Sequence, residues 1–393
     1  MNTPAFRGDY RIASGGRYMY PTYVPILKAK PGEFAALEKL KTAYSQRITP
    51  FFEIPKFTQK MREQAYYRDS TQPKKHYLDK ISNEISKSCK SSAIFFDHFE
   101  WKPNEYTETG EHVYGYMYRK LSESGLKVHP VVGFDRWDDV DYQNALCNLS
   151  IADDTYFCLR IDSETIEDAY DEDYFKDSID SIIQGLNLTN QQIIILLDFG
   201  DVTKKSIVSL LADLQHLLKI VSEYKFSTVM MAGASFPMII NEAVKDEDST
   251  DYVERREMVV WKTLMEDSNH NLIFADYGIR NPSAADDIIA THANGKIRYT
   301  ISNRYFVARG HSKQKGNKGE QIYDLAKVIV NSSHYLGPEF SWGDEKILDC
   351  SMKKLKGRPQ DWIGFDTNHH ISYVVEEVLE FNRIKAAKHA EEI

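Results

Sequence analysis

A series of short apolar runs in this chain ends in charged side chains. YVPILK ends at Lys28, ITPFFEI reaches Glu53, and AIFFDHF carries Asp97 with His98. VHPVVGF runs into Asp135 and Arg136, and TYFCLRI carries Arg160 with Asp162 just beyond. IIILLDF holds Asp198 ahead of Asp201, and NLIFADY closes on Asp276 and Tyr277. A charge at the end of an apolar run is costly unless it meets water, a partner or a ligand. Carboxylates brought face to face shift one another's pKa values, the usual condition for acid–base work or cation binding. Glu53, Asp97, Asp198 and Asp276 are therefore the candidate catalytic carboxylates. Glu53, Asp198 and Asp276 also make a candidate oxygen-ligand set for Mg2+ or Mn2+. The competing reading is that these charges pair among themselves or cap the helices that follow.

A second group suits a phosphate-containing substrate. Lys28, Arg160 and Arg136 can neutralise phosphate oxygens, with Asp135 and Tyr277 beside them. MMAGASFP ends a run in small residues, and Gly233 and Ser235 would let backbone approach a ligand closely, although a plain tight turn explains them as well. VARGHSKQKGNKGEQ carries Arg309, His311, Lys313, Lys315 and Lys318 just before a helical pattern. Helix N-termini attract anions, so Arg309, His311 and Lys313 form a candidate phosphate clamp; a solvated loop is the alternative. It lacks the GK[ST] ending of a Walker loop. TNHHIS places Thr367 or Asn368 at a helix start and His369 in its first turn, where packing competes with a role at the site.

These residues need elements to position them. Eight β-branched or aromatic runs alternate with segments of helical period, from YVPILK to NLIFADY. Continuous apolar strands imply burial on both faces, as in a parallel sheet. The repeat predicts an α/β fold, a single (β/α)8 TIM-like barrel, whose strand C-termini form the functional face. A doubly wound open sheet is the other candidate, weakened because KAKPGEF offers no glycine-rich fingerprint after the first strand. KIRYTISNRYFVARG, 296–310, reads as a hairpin after strand eight, and EQIYDLAKVIVNSS as the eighth barrel helix. DYVERREMVVWKTLMED reads as the helix after strand seven. Closing helices follow within 341–390. Residues 1–19 read as an extension and 20–393 as one decorated barrel.

Composition narrows the class. The chain has 393 residues, a hydrophobic fraction of 42% and a net charge of −9, which argues against a general nucleic-acid coat. Four scattered cysteines, without ligand spacing, suit a reducing cytoplasm and small buried thiols. No run approaches the length of a membrane helix, and the first residues lack a signal peptide's apolar core.

YVPILKAKPGEFAALEKL, RITPFFEIP, HPVVGFDR, LLDFGDV, GASFP, FADYGIRNP, IRYTISNRYFVARG, SWGD and TNHHIS together resemble the beta protein family, named for a T-even phage protein and also found on bacterial chromosomes. The resemblance spans roughly Tyr20 to Phe381 and implies a phage or bacterial origin and a role in phage–host conflict. It implies no substrate or cofactor. Two functions are expected from these residues. One is a hydrolase acting on a nucleotide or nucleic-acid end at the barrel mouth. The other is a barrel scaffold serving as a sensor or protein-binding module, with the tyrosine-rich YTETGEHVYGYMYRK as contact surface.

Overall fold

The structure, a computed structural model, describes residues 21–391 except 92, 267–270, 285–293, 313 and 316–318. The expected extension 1–19, Lys313 and Lys318 lie outside the described residues. Eleven strands run in order: β1 Tyr23–Lys28, β2 Phe51–Glu53, β3 Ala93–Asp97, β4 Lys127–Gly133, β5 Phe157–Ile161, β6 Ile193–Asp201, β7 Thr228–Ala234, β8 Ser249–Glu254, β9 Leu272–Asp276, β10 Asn294–Ile301 and β11 Arg304–Ser312. β1 to β7 and β9 close into an all-parallel barrel, and β10, β11 and β8 form a separate antiparallel sheet.

The barrel follows from strict alternation. Val24, Ile26, Phe51, Phe95, Val131, Cys158, Ile194, Leu196 and Met230 pack together inside the barrel. Their neighbours, such as Leu27, Phe52, Phe96 and Phe274, pack outward under the helices. Side chains along a strand alternate faces, so each run feeds two cores and is apolar throughout.

Three expectations about elements are corrected. First, Ser249–Glu254 is a strand and the helix begins at Arg256; DYVE is extended and pairs antiparallel with β11, Val253 opposite Tyr305. Second, the helix Gln321–Val330 does not complete the barrel. Its Ile322, Leu325, Ala326 and Ile329 pack with Ile297, Tyr299 and Phe306 of the antiparallel sheet. The eighth barrel position falls to the helix Pro359–Glu391, whose Ile371, Val374, Val375 and Val378 join the outer barrel core. Third, TNHHIS is the interior of that 33-residue helix, not its start. Pro359 opens the helix, where a missing N–H costs nothing. Asn368 instead bridges elements, accepting from Gly343 N at 3.0 Å and donating to the Ala36 carbonyl at 2.8 Å.

The hairpin turns at Ser302-Asn303, with Asn303 in the left-handed region at φ 55°, a conformation asparagine tolerates. Ser341 caps the helix Trp342–Ser351 by accepting from Asp344 N.

Candidate functional site

Alternation places the charges. Lys28, Glu53, Asp97, Arg160, Asp198 and Tyr277 all continue the inward-facing positions of their strands, one step above the apolar barrel core. Register completes the layer, since Lys28 pairs with Glu53 and Glu53 with Asp97 across neighbouring strands.

Arg160, 2% exposed, occupies the centre. Its Nε and Nη2 donate to Asp198 Oδ2 at 2.9 and 2.7 Å, and Nη1 donates to Asp97 Oδ2 at 2.8 Å. Nη2 also reaches Glu53 Oε1 and the Tyr277 hydroxyl oxygen, both at 2.7 Å. Tyr277 in turn donates to Asp198 Oδ2 at 2.6 Å. The guanidinium lies between rings, 4.4 Å from the Phe99 centroid and 5.5 Å from that of Phe51. Arg136 forms a second tier, donating to Asp97 Oδ1 at 2.6 Å and to Asp135 Oδ1 at 3.1 Å. Lys28 pairs with Glu100 at 2.7 Å.

The electrostatics separate these carboxylates. Burial opposes the charge on Asp97, but Arg136, the His98 hydrogen bond and Arg160 outweigh it and hold this carboxyl well below the usual range. Burial dominates at Glu53, whose pKa is raised despite Arg160. Burial thus favours the protonated form of Glu53, the opposite of Asp97. It lines a cavity of about 10 Å³ with Lys28, Tyr277 and Arg280, space for about one water.

Asp276 faces the other way. It follows Leu272 and Phe274 on the outward parity, and accepts from Tyr23 Oη, from Gly278 N at 2.9 Å and from His370 Nε2 at 3.0 Å. The expected metal set of Glu53, Asp198 and Asp276 is thereby corrected: Asp276 stands on the opposite face of its strand, and Arg160 already neutralises the other two. Among the described residues no group of three or more His, Cys, Asp or Glu is placed to hold a metal ion.

The remaining candidates scatter. Ser235 lies beyond β7 on the outward parity, accepts from Arg256 N at 2.9 Å and donates to Glu257 Oε2, so it caps a helix rather than cradling phosphate. A Cβ on Gly233 would come within 3.1 Å of Glu257 Cβ, so this glycine serves close packing. Arg309 belongs to β11 and donates to the Val244 and Lys245 carbonyls at 2.8 and 2.6 Å. His311 pairs with Asp248 and Lys315 with Glu247. The basic stretch therefore binds the segment leading into β8 instead of facing the carboxylates. His369 is fully buried, with Nδ1 2.8 Å from Asp344 Oδ2 and Nε2 2.9 Å from the Thr300 carbonyl, a tie between helices and hairpin. Of the tyrosine-rich stretch, Tyr114, Tyr116 and Tyr118 are buried and Tyr106 is exposed, which narrows the expected contact surface to Tyr106.

Sequence reasoning missed a second polar cluster behind Asp276. Arg255, fully buried, donates to Glu377 Oε2 at 2.5 Å and lies 3.6 Å from Asp276. Beside it, burial lifts the Glu257 carboxyl to about 7 against the pull of Arg255. A carboxyl raised in the folded state contributes stability that is present below its unfolded pKa and lost as pH rises through the folded value. Melting temperatures should therefore fall between pH 5 and pH 8 through this group, and Glu257→Gln should flatten the slope. An unchanged slope in the variant would show that Glu257 titrates normally.

Two larger clefts flank the mouth. One, of about 620 Å³, lies over β1 and β2 and is lined by Lys28, Lys30, Lys56 and Lys80 with Tyr66 and Tyr77. The other, of about 1180 Å³, lies between the loops after β7 and β9, the hairpin and the start of the long helix.

Fold and site together define the class: a closed (β/α)8 barrel whose mouth is filled by an arginine–carboxylate network and flanked by an antiparallel sheet. The family model described as Beta protein matches residues 23–376, so the chain belongs to that family. No curated protein matches it. Among the described residues no helix is long and apolar enough to cross a membrane.

Proposed function

We propose that this protein recognises a phosphate-containing ligand, a nucleotide or a nucleic-acid end, on the C-terminal face of its barrel, and works as a binding or sensing barrel. One observation carries the reading. The two clefts beside the mouth are lined by ten Lys and Arg residues and three Glu residues, on a chain of net charge −9. Cationic clefts in an acidic protein concentrate anions locally. The Arg160 network supports binding over metal-assisted hydrolysis, because each of its carboxylates already has a guanidinium partner. The family resemblance extends the reading to phage–host conflict. Calorimetric titration with a panel of nucleotides and a short single-stranded oligonucleotide tests it. Saturable binding that weakens between 50 and 300 mM salt is expected, on the order of a few-fold or more. Heatless titrations across the panel would remove the reading.

A hydrolytic role is favoured by one separate feature, the raised pKa of Glu53 beside the small mouth cavity. In that case Glu53 is the acid–base group for a substrate held over the mouth. Glu53→Gln would then retain nucleotide binding and lose turnover. Absence of any released product from the same panel would exclude this second role.

A further inference from the structure

We propose that the larger cleft, between the antiparallel sheet and the long helix, is a nucleotide pocket in which Arg309 anchors a phosphate. The inference rests on the ligand class above and assigns it to one of the two clefts. Arg309 lines the cleft and is 5% exposed, yet its guanidinium has no carboxylate partner among the described residues. Its Nη1 is held by two main-chain carbonyls, and its Nε has no hydrogen-bond partner. A buried cation lacking a counter-charge is costly, and an anion supplied by a ligand removes that cost. The other arginines of the cleft differ: Arg280 pairs with Glu33, Arg298 with Asp366 and Arg358 with Asp361. Arg309 is thus the guanidinium left for an external anion.

Residue type separates the two clefts. The smaller one offers only lysines as cations, whereas four of the six cations in the larger one are arginines. Arginine presents a planar fork that matches phosphate oxygens in pairs, and lysine acts as a point charge. The larger cleft also has an apolar wall, to which Phe236, Ile279, Trp362 and Ile363 contribute. An inorganic anion has no use for such a wall, whereas a base and sugar do. Its volume of about 1180 Å³ accommodates a whole nucleotide, since ordinary ligand pockets run from roughly 300 to 1,000 Å³.

The test uses the full chain with etheno-ATP, followed by fluorescence anisotropy, and inorganic pyrophosphate, followed by calorimetry. Etheno-ATP should bind about tenfold more tightly than pyrophosphate, because only it reaches the apolar wall. Arg309→Gln should weaken etheno-ATP about tenfold or more, as expected for one charge-assisted hydrogen bond. Arg309 also holds main-chain carbonyls, so Arg358→Glu is the second variant. Its side chain is 80% exposed at the cleft rim, so the fold is expected to persist by circular dichroism while binding weakens several-fold by repulsion. Lys56→Glu reports on the smaller cleft, and assignment to the larger one predicts a smaller loss there than in Arg358→Glu. Loss in Lys56→Glu with none in Arg358→Glu would overturn the cleft assignment and leave the phosphate reading standing. Equal affinities for the two probes would overturn the nucleotide assignment. Failure of both probes to bind would overturn the inference together with the reading beneath it.

Discussion

Replacing Arg160 by methionine is expected to destabilise the protein by about 3–5 kcal/mol, the usual result of removing one partner of a buried charge pair. The guanidinium is shared by Glu53, Asp97, Asp198 and Tyr277 in a 2%-exposed position. Methionine fills much of the volume but leaves three carboxyls facing one another without their common cation, although Arg136 still holds Asp97. Arg160→Lys should also fail, since a single ammonium cannot match the planar fork. The deficit has a pH signature. Without Arg160 the folded-state pKa of Glu53, already raised by burial, rises further, so the folded state takes up protons. Stability of the variant should therefore improve as pH falls from 7.5 towards 5. Urea denaturation at both pH values measures this, and a cost below about 1 kcal/mol would mean the network contributes little.

Asp276→Ala should be nearly as damaging, at about 3–5 kcal/mol, because it strands several buried groups that each cost about 1–3 kcal/mol when unpaired. Asp276 accepts from Tyr23 on β1, from Gly278 N and from His370 on the long helix, and faces Arg255. It thus joins two strands of the barrel to the helix that closes it. Burial alone would raise its pKa, but His370, Arg255 and Tyr23 outweigh burial and lower it. A lowered carboxyl contributes stability that is present above the unfolded pKa and lost as pH falls through the folded one. The penalty of Asp276→Ala should then be complete at pH 7 and shrink below about pH 4. Asp276→Asn, which keeps one acceptor oxygen, should cost less. Equal losses for Ala and Asn would show that charge, not the hydrogen-bond acceptor, dominates.

The barrel was legible because its strands are buried on both faces, so IIILLDF and AIFFDHF cannot be mistaken for half-exposed strands. The charged layer at its mouth was legible for the same reason, as charges stand out at the ends of such runs. What the reading lacked was parity. Tyr277 and Asp276 are adjacent, yet one continues the inward row of Ala275 and the other the outward row of Phe274. Counting in twos along each strand would have separated Asp276 from Glu53 and Asp198, and Ser235 from the mouth. The strand β8 was hidden because its residues are largely exposed and polar, and a strand at the edge of a small sheet needs no apolar run. The eighth helix was misassigned because an amphipathic stripe does not say which of two sheets it covers. His369 and His370 looked like residues of a first turn because Thr367 and Asn368 resemble caps, although both serve contacts between elements. Arg309 was noticed for its charge, but its burial and missing carboxylate partner are properties of the tertiary fold alone.

The central claim is that anionic ligands bind at the cationic clefts on the C-terminal face of the barrel. A crystal structure of the protein grown with a saturating nucleotide tests it most directly. The account predicts phosphate density against Arg309, with the base along the wall formed by Phe236 and Trp362, while the Arg160 network stays intact. Phosphate density on the opposite face of the barrel, or inserted between Arg160 and its carboxylates, would contradict it.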